Sequence, residues 1–155
     1  MITFNHHLPI TKSMIFEACF KESLRLGLRE KREIILPGVG VWMSLDGKLI
    51  GETYGICPVH LKEDIPGISE LHINKIKSLY VYSTAILPKY RGNGYARMLK
   101  AYFIGYCRNS YKHLIGHARE GASLELNKRF GAKVVRSFDD WHGTGETYRM
   151  YCLDL

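Results

Sequence analysis

Apolar and polar positions change period several times along the 155 residues, and each change predicts an element. "ITFNHHL" predicts a first short strand. From Ser13, a residue type that caps helices, "MIFEACFKESLRLGLREK" carries Ile15, Cys19 and Leu26 at helical spacing. It predicts a helix ending between Gly27 and Lys31. "VGVWMSLDGKLIGETYGI" sets two β-prone segments about Asp46-Gly47, a dipeptide suited to the positive φ angles of a tight hairpin. "CPVHLKEDIPGISELHINKIK", with two prolines, reads as a long connection with a helical turn after Ser69. "SLYVYSTAIL" is a mostly buried strand, and a short basic loop with two glycines follows it. Beyond that loop Tyr95, Leu99, Tyr102, Phe103 and Tyr106 share one face of a helix. "KHLIGH" predicts a short strand, and "REGASLELNKRF" a helix that stops at Gly131. "AKVVRSF" and "ETYRMYCLDL" predict two closing strands across the turn-rich "DDWHGTG". The sum is a mixed α/β (α+β) chain, expected to form a single domain over 1–155.

Composition narrows the class. Hydrophobic residues are 46% of the chain, enough for a core and too many for a disordered protein. No apolar run approaches the roughly 18 residues needed to span a bilayer. The start, "MITFNHHLPITKS", lacks the basic segment and apolar stretch of a signal peptide. A soluble, cytoplasmic protein without a membrane partner is expected. Cys19, Cys57, Cys107 and Cys152 are far apart in apolar company, so they read as buried free thiols. His113 and His117 lie four apart, which suits a metal pair on a helix, but their segment reads as a strand. His6-His7 reads as a polar step, and no metal site is expected. The formal charge of +7 points to a polyanionic partner, whether nucleic acid, a polyphosphate-bearing cofactor or an acidic protein. The basic residues are scattered, with no dense run or basic stripe interleaved with aromatics.

The loop between strand and helix carries the clearest chemistry. Arg91-Gly92-Asn93-Gly94 precedes the helix directly. Glycines there let the backbone turn with its amides unobstructed, and the first helical N–H groups have no internal partner. With the helix dipole they make an anion site suited to phosphate, to which Arg91 adds charge and Asn93 a polar neighbour. A diphosphate is therefore expected on the amides of Arg91 through Ala96. Neither GxxxxGK[ST] nor GxGxxG is present.

The stretch Ile86-Leu87-Pro88 followed by Arg91-Gly92-Asn93-Gly94-Tyr95-Ala96 resembles the signature of the GNAT superfamily of N-acetyltransferases. That signature is Arg or Gln, two residues, Gly, one residue, then Gly or Ala, after a strand ending in an apolar-x-Pro step. "LIGHAREGASLELNKRFGAKVV" resembles the family's next strand and helix. The motifs cover roughly Ser78 to Val135, and the element order agrees along most of the chain.

The resemblance implies an acyl-CoA N-acyltransferase fold. Its central, mostly antiparallel sheet would hold one splayed parallel strand pair between flanking helices. It also implies acetyl-CoA as acyl donor, with the pantetheine arm along Ala85, Ile86 and Leu87. The pyrophosphate would lie on Arg91, Gly92, Asn93, Gly94, Tyr95 and Ala96. A primary amine would attack the thioester directly, with a main-chain N–H near Ile86 stabilising the oxyanion.

Many members place a tyrosine four residues before the helix-closing glycine to protonate the departing thiolate. Here that position is Asn127, kept as a cofactor contact because it cannot act as an acid. Tyr80, Tyr82, Tyr148 and Tyr151 are candidate replacements; Glu52, Glu70, His72 and His117 are candidate bases. Trp42 and Trp141 read as hydrophobic anchors, Trp141 in a loop that could border the acceptor. Lys62-Glu63-Asp64 and Glu70 could offer acid to a cationic acceptor. The leading expectation is an acetyl-CoA-dependent N-acetyltransferase acting on an amine of a small molecule or protein, as a monomer or homodimer. The alternatives are an acyltransferase acting on tRNA or a DNA base, and a catalytically inactive binding module with the same fold.

Overall fold

The structure, a computed structural model, describes residues 1–6, 38–60 and 66–155. The helix expected after Ser13, Cys19, His7 and the segment Lys62 to Asp64 lie outside these residues.

Seven strands form one sheet: β1 (Ile2–Asn5), β2 (Gly38–Leu45), β3 (Lys48–Ile56), β4 (Ser78–Ile86), β5 (His113–Arg119), β6 (Lys133–Phe138) and β7 (Tyr148–Asp154). Helix α1 (Tyr95–Cys107) follows β4, and α2 (Ala122–Arg129) follows β5. The strand order is β1-β2-β3-β4-β5-β7-β6. Among the described strands β4 and β5 run parallel and the other neighbour pairs are antiparallel.

Local chemistry accounts for the elements. Asp46 and Gly47, at φ 49° and 77°, turn β2 into β3 as the hairpin pattern predicts. Gly131, at φ 95°, closes α2 in the left-handed conformation that favours glycine. The helix predicted over "REGASLELNKRF" begins three residues late. Arg119 still belongs to β5, and Gly121, at φ 109° and ψ −143°, holds a conformation open only to glycine, so Glu120 and Gly121 form the entry to the helix. The long connection holds short helical turns at Pro58–His60, Ile68–Glu70 and Lys75–Lys77.

The main core lies between α1 and one sheet face, where Leu99 and Phe103 pack among Val41, Met43, Leu79, Val81 and Leu114. Tyr54, Ile56 and Tyr82 form a second cluster, and Ile68, Ile115 and Met150 a third. Cys57 and Cys107 are buried free thiols, and Cys152 is half-buried.

One prediction needs correction. Tyr102 and Tyr106 do not face the core with Phe103. The buried stripe of α1 is Leu99, Lys100, Phe103, Ile104 and Cys107. Tyr102 instead stacks on Phe4 at 4.0 Å, and Tyr106 on His6 at 4.2 Å, along an exposed flank. Tyr102 and Tyr106 lie three residues beyond Leu99 and Phe103, on the outer edge of the face that the pattern marks. The stripe that β2, β3 and β4 cover is centred one residue further round.

Candidate active site

The glycine loop is stiffened by its own side chains. Pro88–Tyr90 form a single helical turn, and the Arg91 amide donates to the Pro88 carbonyl at 3.2 Å. Asn93 Nδ2 donates to the carbonyls of Tyr90 and Arg91 at 3.2 and 3.1 Å. Gly92 and Gly94, at φ 82° and 80°, turn the chain into α1, whose first internal bond runs from the Met98 amide to the Gly94 carbonyl at 3.1 Å. The amides ahead of Met98 are the orphan donors of a helix start. Two residues differ from the sequence picture. The Arg91 amide is already bonded to Pro88, which leaves the amides of Gly92 through Ala96 for the expected anion. Asn93 staples the loop and is not among the cavity-lining residues.

Strand pairing explains the cleft. β4 and β5 pair in register from Ser78 opposite His113 to Val81 opposite Gly116, and there the pairing stops. Beyond that point β4 stays with β3, Glu52 facing Ala85 and Gly51 facing Ile86. β5 stays with β7, His117 facing Met150 and Arg119 facing Tyr148. Each strand follows its outer partner, so the two diverge. The divergence begins at a bulge: Tyr54 faces Ser83 and Gly55 faces Val81, leaving Tyr82 as an extra residue on β4. Thr53 Oγ1 donates to the Ser83 carbonyl at 3.0 Å and lies 2.9 Å from Thr84 Oγ1, pinning the strand just past the bulge.

The V between the strands holds a cavity of about 570 Å³ that runs to the glycine loop. Of the expected cofactor contacts, Ala85, Ile86, Arg91, Gly92, Gly94, Tyr95, Ala96 and Asn127 line it, whereas Leu87 and Asn93 do not. The Leu87 amide donates to the Ile50 carbonyl at 2.9 Å, and Arg91 Nε donates to the Ile86 carbonyl at 3.0 Å. Of the acid and base candidates, Tyr82, His117, Tyr148 and Tyr151 line the cavity; Tyr80, Glu52, Glu70 and His72 do not. Glu52 is buried on β3, and Glu70 forms an ion pair with Arg136. The carboxylate that does line it is Glu146, 3.3 Å from Arg119.

Tyr80, which does not line the cleft, is joined by a chain of hydrogen bonds to His117, which does. His117 Nε2 is 3.0 Å from the Pro66 carbonyl, which can only accept, so Nε2 carries the proton. Nδ1 therefore accepts from the Tyr80 hydroxyl at 2.9 Å. The ring stacks on Trp141 at 4.4 Å, and Trp141 in turn on Tyr148. Burial pushes the His117 pKa down to about 4, opposed by the Pro66 bond and helped by His142 nearby. Burial pushes the Tyr80 hydroxyl up, with Tyr148 adding to the shift. A neutral imidazole whose lone pair already accepts a phenol proton is a poor base near neutral pH.

His117 thus gives a signed stability prediction. Its folded pKa lies below the ordinary 6.5, so it contributes stability above pH 6.5 that is lost as pH falls towards 4. A shift of that size is worth about 3 kcal/mol at most. The urea midpoint of the wild type should fall through that window, and that of His117→Gln should be lower at pH 8 but flatter. A wild type as flat as the variant would contradict the neutral, buried imidazole.

Sequence reasoning missed Lys100. It lies on the buried stripe of α1, is 1% exposed and lines the cavity, where burial pushes its pKa down to about 8 against an opposing effect of Cys107. Position 100 lies off the face that the pattern of Tyr95, Leu99, Tyr102, Phe103 and Tyr106 marks, so only its burial reveals it. Asn127 is also buried. Its Nδ2 donates to the Ser123 carbonyl at 2.9 Å, while Oδ1 has no partner among the described residues.

A seven-stranded, mostly antiparallel sheet opened at one parallel pair, with a glycine loop and helix start at the mouth, is the acyl-CoA N-acyltransferase fold of the GNAT acetyltransferases, as the motif resemblance implied. Several solved structures share it. The IAA acetyltransferase from Bacillus cereus matches over 100% of both chains, with a TM-score of 0.72 and 13% identity. A GNAT family acetyltransferase from Elizabethkingia anophelis with acetyl-CoA bound matches over 99% of this chain and 98% of that one (TM-score 0.67, 15% identity). The ribosomal-protein-alanine N-acetyltransferase from Brucella melitensis matches over 99% of both (TM-score 0.66, 14% identity). No family model matches the sequence, and no curated protein matches it. Among the described residues no helix is long and apolar enough to cross a membrane.

Proposed function

We propose that this protein is an acetyl-CoA-dependent N-acetyltransferase, acting through a single domain over 1–155. One observation carries this: the cleft that opens where β4 and β5 part company leads straight to the Gly92–Ala96 amides at the start of α1. A thioester arm with a diphosphate at one end fits that path. The diphosphate rests on the helix start, the pantetheine runs along Ala85 and Ile86, and the acyl group reaches the bulge at Tyr82. Acetyl-CoA supplies the electrophilic carbonyl when bound. The chain's own residues orient it, exclude water and hold the developing charge, with the main chain of β4 beside the bulge, rather than near Ile86 as the resemblance implied, facing the oxyanion. The acceptor is a primary amine that approaches across the rim formed by Tyr82, His117 and Tyr148.

Calorimetric titration with acetyl-CoA tests this first. Micromolar binding is expected, followed by thiol release when a panel of small amines and peptide N-termini is added. A folded protein that does not bind acetyl-CoA would overturn the reading.

A further inference from the structure

Lys100 is a cation on a stripe otherwise made of Leu99, Phe103, Ile104 and Cys107. Among the described residues its one hydrogen-bond partner is the Tyr151 hydroxyl, neutral and 3.4 Å away. A buried ammonium with one long bond to a neutral group is costly to hold, and it is stabilised when an anion arrives beside it.

The position says which anion. The Tyr151 ring covers Gly116, where a Cβ would lie 2.6 Å from the hydroxyl oxygen. Gly116 is the last residue of β5 still paired with β4. Lys100 and Tyr151 therefore mark the closed end of the V, opposite the glycine loop. An arm whose diphosphate sits on Gly92–Ala96 runs back along β4 past Ile86, Ala85 and Thr84 to Ser83, all of which line the cavity, toward the point where the strands meet. The sulfur end of the cofactor falls beside this pair.

We propose that Lys100, together with the Tyr151 hydroxyl, receives the coenzyme A thiolate as it leaves and returns it to the thiol. The inference rests on the acetyl-CoA reading above. In the step, the amine nitrogen bonds to the acyl carbon, the C–S bond breaks, and its electron pair stays on sulfur. A proton passes from Lys100 Nζ to sulfur, directly or through the Tyr151 hydroxyl, leaving a neutral amine on Lys100. The surplus proton of the substrate nitrogen goes to solvent, and solvent recharges the lysine.

The neighbours allow this. Cys107 lies on the same helix, and its thiol is pushed up to about 12 by burial, so it stays neutral. From β7, Tyr151 is likewise pushed up by burial and by Tyr80. His117, from β5, is neutral at pH 7, and α2 presents Asn127 and Ser123, which carry no charge. Lys100, with a pKa of about 8, keeps its proton at neutral pH yet matches a thiol of ordinary acidity. Asn127, at the place of the family's tyrosine, can offer sulfur no acidic proton.

The test needs no acceptor. Free coenzyme A is bound to the protein, and the thiolate is titrated by ultraviolet absorbance between about pH 6 and 10. The desulfo-coenzyme A complex serves as blank, so that tyrosine ionisation cancels. A cation within contact distance should lower the thiol midpoint by at least about one pH unit relative to free coenzyme A. Lys100→Met should restore the free value and Tyr151→Phe should move it part of the way. An unshifted wild-type midpoint, or a low midpoint that survives in Lys100→Met, overturns the proposal while the acetyl-CoA reading stands. Failure of the wild type to bind coenzyme A overturns both. Should Lys100→Met not fold, Tyr151→Phe decides, because it keeps the ring over Gly116 and removes only the hydroxyl.

Discussion

Gly94→Asp should weaken acetyl-CoA binding by more than about a hundredfold while leaving the protein folded. Gly94 holds φ 80° at the N-cap of α1, and a Cβ built there meets nothing within 4 Å. A side chain is therefore accommodated, at a backbone cost of about 1 kcal/mol for the left-handed conformation, which Asp and Asn tolerate better than most. The carboxylate, however, stands where a diphosphate would rest. One unit charge opposite another near a protein surface costs up to about 4 kcal/mol at 4 Å, and each 1.4 kcal/mol is tenfold in Kd. Gly94→Asn supplies the control, being nearly the same shape without the charge, and should retain binding within about tenfold. Calorimetry on both variants, with thermal melting to show that each is folded, separates charge from shape. Equal losses in the two would mean that the loop acts only through its conformation. Retained binding in Gly94→Asp would move the diphosphate elsewhere.

Phe103→Ala should cost about 3–5 kcal/mol of folding stability, read as a lowered urea midpoint. Its side chain is fully buried between α1 and the sheet, and its ring tip lies 3.2 Å from where a Cβ of Gly55 would be. Helix and strand approach closely there because β3 has glycine at that point. The sheet beneath is tied on both sides, so the space left by the ring cannot close by collapse. Tyr102→Ala is the comparison. Tyr102 sits one residue away, 38% exposed, and should cost under about 1 kcal/mol. Similar losses in the two would undo the assignment of the buried stripe.

How much of this was legible in the sequence differs by element. The Asp46-Gly47 hairpin, the strand-loop-helix about Arg91 to Ala96 and the Gly131 stop were all readable, because each depends on backbone preferences within a few residues. The parallel pairing of β4 with β5 was implied only by the motif resemblance, and the point where it ends, Val81 opposite Gly116, was not readable. Those are set by which outer partner each strand keeps, dozens of residues away. The same limit hid the Tyr80–His117 contact, which spans 37 positions. Local period also misplaced Tyr102 and Tyr106. A tyrosine counts as apolar in a pattern, but its ring can as well lie along a surface beside Phe4 and His6. Lys100 was passed over for the converse reason: pattern reading treats lysine as solvent-facing, so a cation inside an apolar stripe stands out only when its burial is seen.

The strand order has a consequence for the way the molecule assembles. β7 follows β6 in the chain yet lies between β5 and β6. The β5 wall of the cleft, and with it the Tyr151 ring over Gly116, has no outer partner until residues 148–154 are in place. This pairing is non-local, and non-local pairing forms later than the tight hairpin of β2 and β3. On a ribosome the helix α1 and the hairpin of β2 and β3 can pack early, whereas the cleft is shaped late. A nascent chain halted before Tyr148 would expose the long edge of β5, a template for pairing with other chains.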